Sequence, residues 1–253
     1  MFRTILVFFL LINSVNAQDI FWNRYTTKNF VILSIDNEQG KWLSNNIEEL
    51  KTWCNVRWGF KDIDLNHEFR IFCVPNKNLL NKLFDLKESK IEFRDKLTVI
   101  WLVLNDKPTH SVNPFLTQAI LGDKLDFWTV TGISLLNTSN SEIRGHLIDL
   151  FSILRKRYFN INKILSMKKE DYLNLTEEDK SIFDIQAVVL CLFLKKEFGE
   201  NKFQRFILTK DIKIYKFSNY EEFDKIFLRY MQDLSFQNMK QKIPDSYLDV
   251  KAK

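Results

Sequence analysis

Three short apolar runs rich in β-branched residues crowd the first 104 residues of the chain, and helical patterns fill everything after Asp106. Together they predict an α+β fold: a small N-terminal α/β sheet layer followed by a mostly helical C-terminal part. The runs are Asn29–Asp36 (NFVILSID), Phe69–Pro75 (FRIFCVP) and Leu97–Leu104 (LTVIWLVL). Each has strand length and is apolar at consecutive positions, as expected of a buried strand. Glycine is scarce, 6 among 253 residues, which argues against an all-β chain full of tight turns. It also argues against a glycine-rich phosphate-binding loop, and no GxGxxG or GxxxxGKS/T string occurs.

The elements follow in order. Gln18–Lys28 reads as a polar-aromatic lead-in. After the first strand, a helix of about 20 residues places Trp42-Leu43, Ile47, Leu50, Cys54 and Trp58 on one stripe and ends at Gly59. The strand Phe69–Pro75 is stopped by its proline. Asn76–Leu86 is a short helix with Leu79-Leu80 and Leu83-Phe84 inward. Lys90–Arg94 (KIEFR) alternates strictly, which predicts a half-exposed edge strand before the buried Leu97–Leu104. These elements form an N-terminal subdomain over 18–106.

A helical subdomain is expected over 107–235. It opens with Asn113–Leu121 and Phe127–Leu136. Ser139 and Glu142 form a capping box for a helix to about Arg157. A polar connection with a short turn near Ile164-Leu165 follows. Thr176 and Asp179 cap the next helix, to Phe198, which Gly199 ends. Glu200–Leu208 is a short helix, and Tyr220–Leu234 sets Phe223, Phe227, Tyr230 and Leu234 on one face. Residues 236–253 read as a loose tail.

Residues 1–17 read as a signal peptide. Arg3 supplies the positive charge, Ile5–Ile12 the apolar run, and Val15-Asn16-Ala17 a small-residue cleavage site. The run falls short of the about 20 residues that a membrane span needs. The best later run, Ala187–Leu194, ends at Lys195-Lys196, so no transmembrane segment is expected. The expected product is exported, periplasmic or extracellular, and starts at Gln18. Its formal charge falls from +5 to +4 with the loss of Arg3. The densest basic cluster, Arg155-Lys156-Arg157, lies at a predicted helix end, where cations favour the helix dipole. No basic-aromatic interleaving accompanies it, so nucleic acid is not an expected partner. Asn137-Thr138-Ser139 and Asn174-Leu175-Thr176 are glycosylation sequons. Export permits a disulfide. Cys191 sits in an apolar helix and reads as a buried thiol. Cys54 and Cys73 remain as the candidate pair.

Chemical groups are few. The chain has 3 histidines, His67, His110 and His146. His67-Glu68 has no second histidine and is not HExxH. Glu142, His146 and Asp149 share a helix face, so Glu142 and His146 with His110 form an alternative metal-ligand set. Ser134 lacks the second glycine of a GxSxG elbow. Cys191 lacks the electropositive surroundings of a reactive thiolate. No carboxylate pair stands out for acid/base work.

The element order and several strings resemble the peptidase MA-like, or gluzincin, group of zinc metallopeptidase domains. The strings are Tyr25–Ile32, Ile47-Glu48-Glu49-Leu50, FRIFCVP, Phe183–Gly199 with Glu200–Phe203, and Tyr220–Leu234. Trp128-Thr129-Val130-Thr131-Gly132-Ile133-Ser134 is similar to that family's Trp-x-x-Glu-Gly-x-Ala string. The resemblance implies a gluzincin-like fold, and a zinc site made of HExxH on one helix and a glutamate on the next. Aligned on Trp128 and Gly132, the glutamate position falls on Thr131 and the HExxH frame on 113–117, with Asn113, Pro114 and Thr117 at its chemical positions. No histidine lies between 111 and 145 and no glutamate between 93 and 141. Neutral Asn, Pro and Thr side chains are poor zinc ligands against water, and without the metal there is no activated water.

The leading expectation is therefore an exported, non-catalytic pseudoenzyme of binding or structural role. It needs no cofactor, and its former cleft is open to a peptide or protein partner. Two further readings stand beside it. One is a zinc-dependent peptidase or hydrolase with ligands relocated to His110, Glu142 and His146. The other is a secreted carbohydrate-binding protein, read from 6 tryptophans. In that reading Trp42, Trp53, Trp101 and Trp128 are core, while Trp22 and Trp58 are candidates for exposure.

Overall fold

The computed structural model describes residues 20–60, 68–94, 96–104, 108–122, 124–138, 143–145, 147 and 158–239. The fold is α+β, with an N-terminal mixed sheet and a helical C-terminal part. The sheet has five strands: β1 Asn23–Thr26, β2 Phe30–Ser34, β3 Glu68–Val74, β4 Lys90–Arg94 and β5 Leu97–Val103. Their spatial order is β1-β2-β3-β5-β4, with parallel pairing at β2/β3 and β3/β5 and antiparallel pairing at both edges.

The three predicted apolar runs are the central strands β2, β3 and β5, which explains their composition. One face carries Phe30, Ile32, Phe69, Ile71, Cys73, Ile100 and Leu102 into the main core. The other carries Phe72, Val74, Val99 and Trp101 into a smaller cluster. Helix α2 (Lys77–Phe84) covers that second face with Leu80, Leu79, Leu83 and Phe84. Of these four only Leu80 is fully buried. KIEFR is the edge strand that its alternation predicts. The lead-in differs from expectation, because its residues 23–26 form β1. That strand has little apolar content. It is held by Tyr25, which packs so close to Gly40 that an added Cβ would lie 2.4 Å from the ring.

Helix α1 (Asn37–Val56) starts at Asp36, whose carboxylate accepts from the Gln39 amide. Its apolar stripe faces the sheet. On its flank, Glu48 accepts from Thr27 Oγ1, the Asn29 amide and Asn29 Nδ2 at 2.6–2.8 Å, which fixes the β1–β2 turn. The helical layer follows: α3 Pro108–Leu121, α4 Phe127–Leu136, α5 Ile161–Ser166, α6 Lys169–Leu173, α7 Glu177–Phe198, α8 Glu200–Thr209, a 3-10 turn Ile212–Tyr215, and α9 Tyr220–Met239.

Helix α7 is the axis of this layer. Apart from Asp184 and Gln186, residues 182–194 are apolar and buried on all sides, as in a helix surrounded by others. Thr176 caps it through the Asp179 amide, and Gly199 ends it at φ +85°, a backbone region that glycine tolerates. Gln186 grips the chain before α5: its Oε1 accepts from the Phe159 amide at 2.8 Å and its Nε2 donates to the Phe159 carbonyl at 2.9 Å.

Two boundaries move. Helix α3 begins at Pro108, not 113, so Pro114 is interior and removes one helical hydrogen bond. Both prolines suit a first helical position, and only the upstream one holds it. Helix α9 runs to Met239, through residues expected to begin the tail, and buries Leu234 and Ser235. Residues 1–17, the cap at 139–142, Arg155–Arg157 and 240–253 lie outside the described residues. No helix among the described residues is long and apolar enough to cross a membrane.

Candidate functional site

Helices α3 and α4 lie against each other, and adjacent stripes of α3 have different fates. Residues 113 and 117 are one pair on its surface, and 114 and 118 are the next pair, about 100° further round. The second pair faces a cavity of about 380 Å³. Its walls are Pro114 and Gln118 from α3, Gly122 just after it, and Phe127, Val130, Thr131, Ser134 and Leu135 from α4. Phe93 of β4, Lys169, Tyr172 and Leu173 of α6, and Asp184 of α7 close it.

The wall is mostly apolar, with a few polar groups set into it. Tyr172 Oη donates to Asp184 Oδ2 at 3.1 Å, while Asp184 Oδ1 is buried with no partner among the described residues. Burial pushes the Asp184 carboxyl up to about 6; the Tyr172 hydrogen bond opposes this, the nearby Glu177 adds to it, and Lys180 opposes it. Burial also raises the Tyr172 phenol, and the charge of Asp184 adds to the effect. Ser134 is 1% exposed and its Oγ has no partner among the described residues. The ring of Phe127 lies 5.1 Å from Tyr172 and stacks on Phe183 at 5.7 Å, which makes one side of the wall rigid.

The structure separates the four positions expected to share a former metal site. Pro114 and Thr131 line the cavity, but Asn113 and Thr117 do not. Thr117 Oγ1 donates to the Asn113 carbonyl at 2.8 Å and accepts from Asn137 Nδ2 at 2.7 Å. Asn137 Oδ1 in turn accepts from Trp58 Nε1 at 2.9 Å, and the Asn113 carbonyl takes the Cys54 thiol at 3.8 Å. This buried chain spends the oxygen of Thr117 on protein partners. The four residues thus do not fit a zinc ion: one is engaged, one is a proline, and the four do not converge. The pair facing the cavity with Thr131 is Pro114 and Gln118, one residue along from the expected frame. Of the alternative ligands, Glu142 and His146 lie outside the described residues, as does the side chain of His110.

Three further expectations change. Cys54, Cys73 and Cys191 are free buried thiols. Cys73 pairs in register with Ser34, beside the start of α1, whereas Cys54 is near that helix's end. At 1.5 Å per residue the two are about 26 Å apart along the helix, far beyond the roughly 7 Å limit of a disulfide. Trp58 is fully buried, whereas Trp53, expected in the core, is 39% exposed. Asn137, the head of a sequon, is fully buried with both amide atoms bonded, and so offers no nitrogen to a glycan in the folded chain. Asn174 of the second sequon is exposed.

Asp184, Tyr172 and Gln118 were missed from the sequence, and Ser134 was considered there only as a nucleophile. Asp184 carried a signal: it and Gln186 are the two polar residues in the run 182–194. Gln186 is spent on Phe159, and Asp184 reaches the cavity. No protein-family model matches the chain, and no curated protein matches it.

Proposed function

We propose that this chain is an exported, non-catalytic binding protein built on a frame like that of the zinc metallopeptidases, with the cavity between α3, α4, α6 and α7 as its binding site. One observation carries this reading. Pro114 and Thr131, two of the four positions that the resemblance would give to catalytic groups, line the cavity beside Gln118 and Ser134, with Asp184 as the one carboxyl among the described lining residues. A lining of aromatic and aliphatic carbon with a few fixed polar groups suits a bound apolar body better than bond cleavage. The ligand class is an apolar peptide side chain, with Asp184 and Tyr172 orienting a polar neighbour.

The test is binding of a library of short peptides with large apolar residues to the purified mature protein, read by calorimetry. Thr131→Trp, which places an indole in the cavity, is expected to remove binding and leave the circular dichroism unchanged. Elemental analysis of the same preparation is expected to find no stoichiometric zinc. One equivalent of tightly held zinc, or cleavage of the library, would overturn the proposal, as would binding indifferent to Thr131→Trp.

A further inference from the structure

A second concavity, of about 420 Å³, lies on the other side of α3. It is lined by Asn46, Glu49, Leu50 and Trp53 of α1, Thr109 and Asn113 of α3, and Thr138 after α4. Its character is unlike that of the first cavity: amides, hydroxyls and one carboxylate surround a single large ring. No lysine or arginine is among the described lining residues.

Three features make it a built site. Trp53 is 39% exposed, in contrast to the buried Trp58, Trp101 and Trp128. The Arg57 guanidinium carbon sits 4.8 Å from the centroid of the Trp53 ring, which helps hold the ring in place. A ring already held loses little freedom when a ligand stacks on it. Asn113 is 4% exposed, and its Oδ1 has no partner among the described residues. A buried amide oxygen without a partner costs free energy that a ligand's donor would recover.

We propose that this groove binds a neutral pyranose, its apolar face stacked on Trp53 and its hydroxyls bonded to Asn113, Glu49 and Asn46. A pyranose has one flat C–H face and a rim of hydroxyls that both donate and accept. The groove offers a flat apolar ring and a rim of the same mixed capacity. A phosphorylated or carboxylated ligand does not suit it, because the one charged lining residue, Glu49, is an anion.

The experiment uses saturation-transfer NMR and calorimetry with methyl glycosides of glucose, galactose, mannose and N-acetylglucosamine, and with their β1,4-linked dimers. At least one probe is expected to bind at millimolar concentration. Trp53→Ala, at an exposed helix position, is expected to weaken that binding about tenfold or more, with Trp53→Phe intermediate. Thr131→Trp, in the other cavity, is expected to leave it unchanged. Absence of binding across the panel overturns the proposal. So does saccharide binding that survives Trp53→Ala or that is lost with Thr131→Trp.

Discussion

At the scale of single residues, Asp184 is the most consequential side chain of the cavity. Its carboxyl lies in an apolar wall with one phenolic partner, and burial lifts it to about 6. The folded state therefore keeps this proton to higher pH than the unfolded chain, where an aspartate titrates near ~3.9. Between those values the native state binds more protons than the unfolded state, so this group's contribution to stability falls as pH rises. The loss is complete by about pH 7 and amounts to about 3 kcal/mol. Asp184→Asn keeps an acceptor for Tyr172 and has no charge to desolvate. Urea midpoints from pH 4 to 8 are expected to show the variant gaining on the wild type as pH rises. Parallel curves would contradict this account. The groups that face Asp184, Tyr172 from α6 and Glu177 and Lys180 from its own helix, are unchanged in the variant and cancel from the comparison.

At the scale of elements, the crossing of α4 over α7 decides where the site lies. Gly132 sits at that crossing: a Cβ there would meet the Ala187 carbonyl oxygen at 2.5 Å and Cys191 Sγ at 2.7 Å. Backbone as well as side chain would have to move. In an open helix, Gly→Ala gains about 1 kcal/mol. Here Gly132→Ala is expected to cost about 1–3 kcal/mol instead, read as a fall in the urea midpoint. Gly145→Ala is the control, since nothing lies within 4 Å of its added methyl, and stability is expected to hold or rise. Gly132 lies within α4, and its missing side chain is what allows the close packing. The same close approach turns Thr131 and Ser134 toward Pro114 and Gln118. Which stripe of α3 met α4 was not legible, because a rotation of one residue exchanges 113 and 117 for 114 and 118 without changing the apolar pattern.

Across the whole molecule, one core joins the sheet to the helices. The main cluster runs from Phe30 on β2 to Leu234 on α9, and the Trp58–Asn137 bond ties the end of α1 to the end of α4 across 79 residues. The three thiols are spread through that core. Burial pushes Cys54 and Cys73 up to about 12 and Cys191 higher still. Thiols this protonated and this buried react only when the structure opens. Without reductant, the native protein is expected to show almost no reaction with an aromatic disulfide reagent, and three equivalents in denaturant. A single equivalent in denaturant would show that two cysteines are joined after all.

The amino-acid sequence alone determined the α+β division, the three central strands, the edge strand, and the cap and end of α7. These follow from local chemistry: runs of β-branched residues, helical periodicity, Thr176 at an N-terminus and Gly199 past a C-terminus. Tertiary structure decided the rest. It made β1 a strand by packing Tyr25 on Gly40, and it buried Trp58 while leaving Trp53 at the surface. It also parted Cys54 from Cys73, sent Thr117 into a buried polar chain, and gave Asp184 a cavity wall. The physical reason is common to these cases. Periodicity names the apolar face of a helix, but the direction of a polar residue at the edge of that face depends on which neighbour the helix meets and how closely the two backbones approach.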